Sequence, residues 1–280
     1  MKKGTSLLFQ GLLCLLTGVV GLTTASAAEK PTVISLSPAA TELIYELKLD
    51  SHLIAVDQNS DYPEQVKNLP NIGDPFNPNL ELLAQYQPDL LIHFSHHHAL
   101  ETVQKTFNLT LLPMQPKNIE ELFAQAEQLS NHLYHNRNEQ IQQWRQQWQT
   151  IHQQYQNSTS SLPKKVFIFL GTNPIYTLGK NAFLSQSLHV CNVKGLFDDQ
   201  DYPSLMVSKE QLATHAPDTV LAGLSSYDNA EQRTQQIIDT FKSLGIALTE
   251  QQIVLVDQDI LFRPTIRFLN YLPTLCERLR

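Results

Sequence analysis

The stretch IQQWRQQWQTIHQQY, residues 141–155, decides how the chain is organised. Its large apolar residues, Ile141, Trp144, Trp148, Ile151 and Tyr155, recur at spacings of 3, 4, 3 and 4. That is one stripe along an α-helix, because residues three and four apart share a face. A coiled coil would need three or four heptads of this pattern, and about two are present. We therefore read a single long helix packed along its own protein.

On both sides of this helix, short apolar strands alternate with helical patterns. Toward the N-terminus run TVISLS, HLIAVD, DLLIHF and LTLLPM as strands, with PAATELIYELKL, NLELLAQY and ALETVQKTF as helices between them. Toward the C-terminus run the strands KVFIFL, DTVLAGL and QIVLVD, with GTNPIYTLGK read as a loop. Helices are read at AFLSQSLHVC, KEQLATHA and AEQRTQQIIDTFKSLG, and a last one from Pro264 to Arg280. Near-continuous apolar strands between helices indicate parallel sheets covered on both faces. The expected fold class is α/β, with two Rossmann-like lobes at residues 28–118 and 162–280. A helical segment, 119–161, joins them through one long rigid helix, and a ligand cleft lies between the lobes.

Residues 1–27 read as a secretory signal: basic Lys2 and Lys3, a short apolar run, then Ala25-Ser26-Ala27 for cleavage. A membrane anchor is the alternative, but the run is short and ends in small residues. Cys14 leaves with the signal, and Leu13 before it argues against a lipoprotein site. Cys191 and Cys276 remain, and in an oxidising compartment they are expected to bridge, the alternative being two buried thiols. A net charge of −7 makes a nucleic-acid partner a poor fit. No later apolar run approaches a bilayer span. We expect an exported, periplasmic monomer.

Catalytic signatures are missing. LGKNAF lacks the early glycine and the hydroxyl residue of a phosphate loop, and GLSSYD has Tyr227 where a nucleophile elbow has glycine. His132 and His135 read as a solvated pair on a polar helix face. The segment HFSHHHAL concentrates four histidines, His93, His96, His97 and His98. It follows a strand end, so it reads as a solvated turn, a metal site, or a turn whose His96 or His97 meets a ligand. The chain therefore reads as a binding protein, not an enzyme, with no cofactor of its own.

Several segments then resemble one family: VISLSPAATEL, SDYPEQ, NLELLAQYQPDLLI, VFIFLGTNPIYTLGK, VSKEQLATHAPDTV and DILFRPTIRFLNYLPTLC. In order and spacing they are similar to the cobalamin-binding proteins of bacterial ABC importers. These belong to the wider group of periplasmic substrate-binding proteins whose lobes are joined by one rigid helix. The resemblance implies that Tyr62 and Tyr176 stack on a corrin ring, with Phe94 at the position of a cleft tryptophan and Phe76, or its neighbour Pro75, near that of another. It implies that Asp259 and Arg263 reach the ligand's amide side chains, the alternative being a structural ion pair. It also implies that Glu42 and Glu210, one per lobe, dock on arginines of an ABC permease dimer in the inner membrane, and that Cys191 and Cys276 form the family's disulfide. Two departures stand out. Ser204 replaces a cleft tryptophan, and SHHH replaces an arginine-glycine-glycine turn.

Three functions compete. The first is capture of cobalamin or a related corrinoid for an ABC importer. The second is the same service for haem or a ferric siderophore, with His97 or a neighbour as a ligand. The third is a zinc- or nickel-dependent enzyme or metal chaperone built on the histidine run, for which no further ligands stand at diagnostic spacing.

Overall fold

The computed structural model describes residues 30–95, 98–156 and 163–280. The histidines His96 and His97 and the expected signal segment lie outside the described residues. Lobe one runs β1 (Val33–Leu36), α1 (Pro38–Glu46), β2 (Leu53–Val56), a ribbon of β3 (Gly73–Asp74) and β4 (Asn77–Pro78), α2 (Leu80–Tyr86), β5 (Leu90–His93), α3 (His98–Phe107) and β6 (Thr110–Pro113). Two helices follow, α4 (Ile119–His132) and α5 (Asn138–Gln156). Lobe two runs β7 (Lys164–Phe169), β8 (Gly171–Thr172), β9 (Ile175–Leu178), α6 (Phe183–Leu188), β10 (Val193–Gly195), β11 (Ser204–Met206), α7 (Lys209–Thr214), β12 (Thr219–Leu224), α8 (Ala230–Ser243), β13 (Ile253–Asp257), α9 (Gln258–Phe262) and α10 (Ile266–Leu279).

The main sheets are parallel and share one topology. Lobe one orders its strands β2-β1-β5-β6, and lobe two β10-β7-β12-β13. Each lobe thus starts with a strand that becomes second in its sheet. By this repeat α1 corresponds to α6, α2 to α7 and α3 to α8. The sequence pattern explains the burial. Strand side chains alternate between faces, so Val33 joins one apolar cluster while Ile34 and Leu36 join another. In lobe two, Val166 and Ile168 face one cluster while Phe167 and Phe169 face the other.

The stripe on α5 is what connects the lobes. Ile141, Trp144, Ile151 and Tyr155 are buried in a single cluster that also holds Val33 and Leu43 of lobe one and Leu221 and Phe268 of lobe two. At 1.5 Å per residue, α5 is about 28 Å long. Its start is tied to lobe one, where the Arg137 guanidinium donates to the Lys48 carbonyl at 3.3 Å. Its end is tied to lobe two, where the Tyr155 hydroxyl donates to the Pro273 carbonyl (3.1 Å) and to Glu277 (2.9 Å). The Arg280 guanidinium also lies over the Tyr155 ring, 4.4 Å from its centroid. The Cys191–Cys276 disulfide forms across 85 residues and pins the turn after α6 to α10.

Two local readings change. GTNPIYTLGK is not an open loop, because β8, β9 and β11 form an antiparallel three-stranded ribbon in which Ile175 and Thr177 point inward. Gly179 ends that ribbon where any Cβ would meet the Tyr202 carbonyl, so a residue without one is required. His135, expected in a solvated pair with His132, lies in the turn after α4 and meets His52 instead. Their Nε2 atoms are 2.8 Å apart, and the other nitrogen of the buried His52 bonds the Pro31 carbonyl at 2.7 Å.

Burial holds the His52 pKa below the ordinary histidine value, a pull reinforced by Lys30 and His135 and opposed by the Pro31 bond. The unfolded chain therefore takes up a proton at His52 at a pH where the folded chain does not. Stability from this group is present above the unfolded pKa of about 6.5 and is lost as pH falls through and below it. Urea unfolding at about pH 7.5 and 5.5 should show that loss in the wild type and a smaller one in His52→Gln. Identical pH dependence in both would remove His52 as the cause.

Candidate ligand cleft

The cleft is built on small hydroxyl side chains at the start of each motif. Ser37 caps α1, its hydroxyl accepting from the Ala40 amide at 3.3 Å. The Ser35 hydroxyl donates to the Ser37 carbonyl, and the Thr41 hydroxyl donates to Ser35 at 2.9 Å. Thr41 also meets the Ser60 hydroxyl at 2.9 Å, and Ser60 donates to the buried Asp57 carboxylate at 2.7 Å. Asp57 also accepts the Asn59 amide at 2.8 Å. Burial raises the Asp57 pKa, and these hydrogen bonds act against it. The network is buried and connected, so it fixes the loop that carries Asp61 and Tyr62. The motifs SLSPAAT and SDYP are two halves of one scaffold.

Beneath that loop lies an ion cluster that crosses between the lobes. Glu42 of α1 is 1 % exposed and pairs with Arg263, between α9 and α10, at 3.0 Å and with Arg267 of α10, whose Nε donates at 2.7 Å. Arg263 also pairs with Asp61 at 2.8 Å and Asp259 at 3.0 Å, and donates to the Asn59 carbonyl at 3.3 Å. Burial raises the Asp259 pKa against the pull of Arg263. The Arg267 guanidinium lies 3.9 Å from the Tyr62 ring centroid, a cation–π contact that covers one face of an aromatic that remains 41 % exposed.

A cavity of about 710 Å³ opens between the lobes. Its lining includes Ser37, Phe94 and Met114, each just past the carboxyl end of a lobe-one strand, and Leu170 just past β7. Leu178, Phe183, Ser204, Phe262 and Arg263 complete much of the opposite wall. That is where parallel α/β sheets place ligands. A second hollow of about 760 Å³ lies at the amino ends of the lobe-one strands, lined by groups such as Lys30, Asp89 and Gln85, and lacks the apolar walls of the first.

The expected site residues divide. Phe94 lines the cavity, and Phe76 packs on it edge to face at 5.3 Å between centroids. Tyr176 is 42 % exposed on β9, and Arg263 reaches the cavity wall. Asp259 is paired with Arg263, so the structural ion pair held as the alternative does form. Among the described residues no group of three or more His, Cys, Asp or Glu side chains converges as a metal site.

Sequence reading missed Met206. The β9–β11 register places Met206 opposite Tyr176, and Ser204 opposite Leu178. Leu178 and Ser204 line the cavity, so Tyr176 and the 63 % exposed Met206 extend the same face of the ribbon. The alternation Tyr202, Ser204, Met206 was the available signal. It was hidden because SLM is too short to read as a strand.

Glu42, expected to dock on a permease, is buried, and its carboxylate is engaged by two arginines. The fold repeat also matches α7 with α2, not with α1. Glu210 lies two residues past the cap Ser208, and its counterpart two past the cap Asn79 is Glu81; both are exposed. The Glu210 pKa is held low by its own backbone amide and the Ser208 hydroxyl. Replacing Glu42 by Gln would leave two arginines facing a neutral amide. It should destabilise the fold by about 3 kcal/mol, read as a lower urea midpoint with unchanged slope. An unchanged midpoint would contradict this account.

The chain was compared with known proteins. A family model described as periplasmic binding protein matches residues 33–257. A vitamin B12-binding protein of Pectobacterium atrosepticum is 30 % identical over 222 residues, 76 % of this chain and 78 % of that protein. One from Yersinia pestis is 25 % identical over 265 residues, covering 93 % and 90 %. The solved periplasmic vitamin B12-binding protein BtuF of Vibrio cholerae superposes with a TM-score of 0.72 and 26 % identity, covering 89 % of this chain and 96 % of that one. The periplasmic haem-binding protein HutB of Vibrio cholerae reaches a TM-score of 0.73 at 18 % identity, covering 89 % and 98 %, a likeness of fold alone. With two parallel-sheet lobes, a helix spanning them and a family model covering most of its length, this chain belongs to the periplasmic binding protein family.

Proposed function

We propose that this protein captures cobalamin or a related corrinoid outside the cytoplasm and delivers it to an ABC permease dimer in the inner membrane. The observation that carries the reading is the apolar interlobe cavity with aromatic side chains in and around it, in a chain whose relatives include vitamin B12-binding proteins. No bond is made or broken. Tyr62, Tyr176, Phe76 and Phe94 offer flat apolar area at low entropic cost, which suits a macrocycle. Ser37, Gln115, Asn181 and Ser204 offer neutral hydrogen-bonding groups for amide substituents.

Haem is the second reading, favoured by the fold likeness to haem-binding proteins. Among the described residues lining the cavity there is no histidine, tyrosine or cysteine to ligate iron. A corrinoid can bring its own axial ligands and needs none from the protein. The role of His96 and His97 toward a ligand stays part of this proposal. For docking, Glu81 and Glu210 occupy equivalent exposed helix starts, which suits a two-lobed protein seated on a two-fold permease.

Calorimetric titration of the mature protein with cyanocobalamin and haemin tests the assignment. We expect saturable corrinoid binding, weakened about tenfold by Tyr176→Ala. Failure to bind any corrinoid at micromolar concentration would overturn it. The double variant Glu81→Ala/Glu210→Ala should keep the wild-type ligand affinity but lose corrinoid uptake in cells that depend on this protein. Undiminished uptake would remove these two glutamates from docking.

A further inference from the structure

The cleft lining holds two cations and, among the described residues, no aspartate or glutamate. The two cations are not equivalent. Arg263 already serves Glu42, Asp61 and Asp259. Lys117 sits in the loop after β6, and its ammonium has no hydrogen-bond or ion-pair partner among the described residues. The carboxylates nearest in sequence are used elsewhere, and Glu120 pairs with Arg145 at 2.7 Å. Glu121 accepts the Lys117 backbone amide at 2.9 Å and the Asn118 side-chain amide at 3.3 Å, while Asn118 caps α4 by accepting the Glu121 amide at 2.8 Å. This cap fixes the loop and leaves the lysine head uncommitted.

We propose that Lys117 recognises an anionic substituent, a phosphate or a carboxylate, on the edge of the macrocycle held in the cleft. The inference deepens the binding reading above and rests on it. Lys117 is solvent-exposed at the wall of an apolar slot, so water partly screens its charge and recognition rests on a short-range contact with an anion. A ligand bearing only neutral amides gains nothing from that charge, whereas one carrying an anion gains both attraction and a charge-assisted hydrogen bond. Cobalamin carries a phosphodiester in its nucleotide loop, cobinamide lacks it, and haem carries two carboxylates. Lys117 would therefore select for the complete corrinoid over its truncated form.

The test is calorimetric titration of wild type, Lys117→Met and Lys117→Arg with cyanocobalamin and dicyanocobinamide, at low and high salt. Methionine keeps the length and removes the charge. We expect Lys117→Met to weaken cyanocobalamin binding about fivefold and to leave cobinamide unchanged. Lys117→Arg should restore most of the loss, and the salt dependence of cyanocobalamin binding should flatten in the methionine variant. An equal loss for both corrinoids, or no loss for either, overturns the inference while the corrinoid reading stands. If the wild type binds neither corrinoid, that reading fails and the same variants are titrated with haemin and its dimethyl ester. Loss confined to the free acid supports the Lys117 inference, and equal effects on both overturn it.

Discussion

The buried carboxylate of Glu42 is the constraint on which the cleft depends. A carboxylate removed from water needs cationic partners, and here both come from the other lobe. Satisfying Glu42 therefore fixes where the segment from Arg263 to Arg267 sits against α1. That in turn sets Arg263 at the cavity wall and Arg267 over Tyr62. A buried ion pair adds little net stability over well-packed apolar groups. What it contributes here is a specified relation between two lobes that topology alone would let vary.

The second tie is apolar. The cluster around α5 passes without a break from lobe one to lobe two, so a large hinge motion would have to open packed core. The lobes are thus held both along α5 and at the ion cluster. A cleft held in this way is largely formed before its ligand arrives, which lowers the ordering cost of binding. If the protein delivers its ligand to a permease as proposed, recognition of the loaded state would draw on the ligand itself or on small shifts at the rim, rather than on a large change of shape.

Much of this architecture was legible in the chain. The stripe from Ile141 to Tyr155 identified the connecting helix, because a period of three and four survives any tertiary context. The four main strands of lobe one and β7, β12 and β13 of lobe two were legible because burial on two faces leaves continuous apolar runs, whereas the three-residue edge strand β10 was not. The parts that escaped depend on contacts distant in sequence. Nothing near Glu42 marks it as buried, since its partners lie more than 200 residues away. The same holds for His135, whose partner His52 is 83 residues back. The short ribbon strands failed for a different reason: two- to four-residue strands carry too little alternation to be distinguished from a loop. Glutamates at helix starts look alike in sequence, and only the strand order pairs α7 with α2.

The guanidinium of Arg263 shows how scaffold and site compete for the same donors. Its Nη1 serves Glu42 and Asp61, and its Nη2 serves Asn59 and Asp259. With five N–H groups in all, only Nε–H has no partner among the described residues. A ligand acceptor reaching this arginine must use that donor or displace an existing partner. Glu42 is buried and shared with Arg267, so displacing it would disturb the lobe interface. Asp61 is 52 % exposed and regains water when released, which makes it the cheapest to exchange. Ligand contact at Arg263 would then free a carboxylate beside Tyr62 while leaving the Glu42 junction intact.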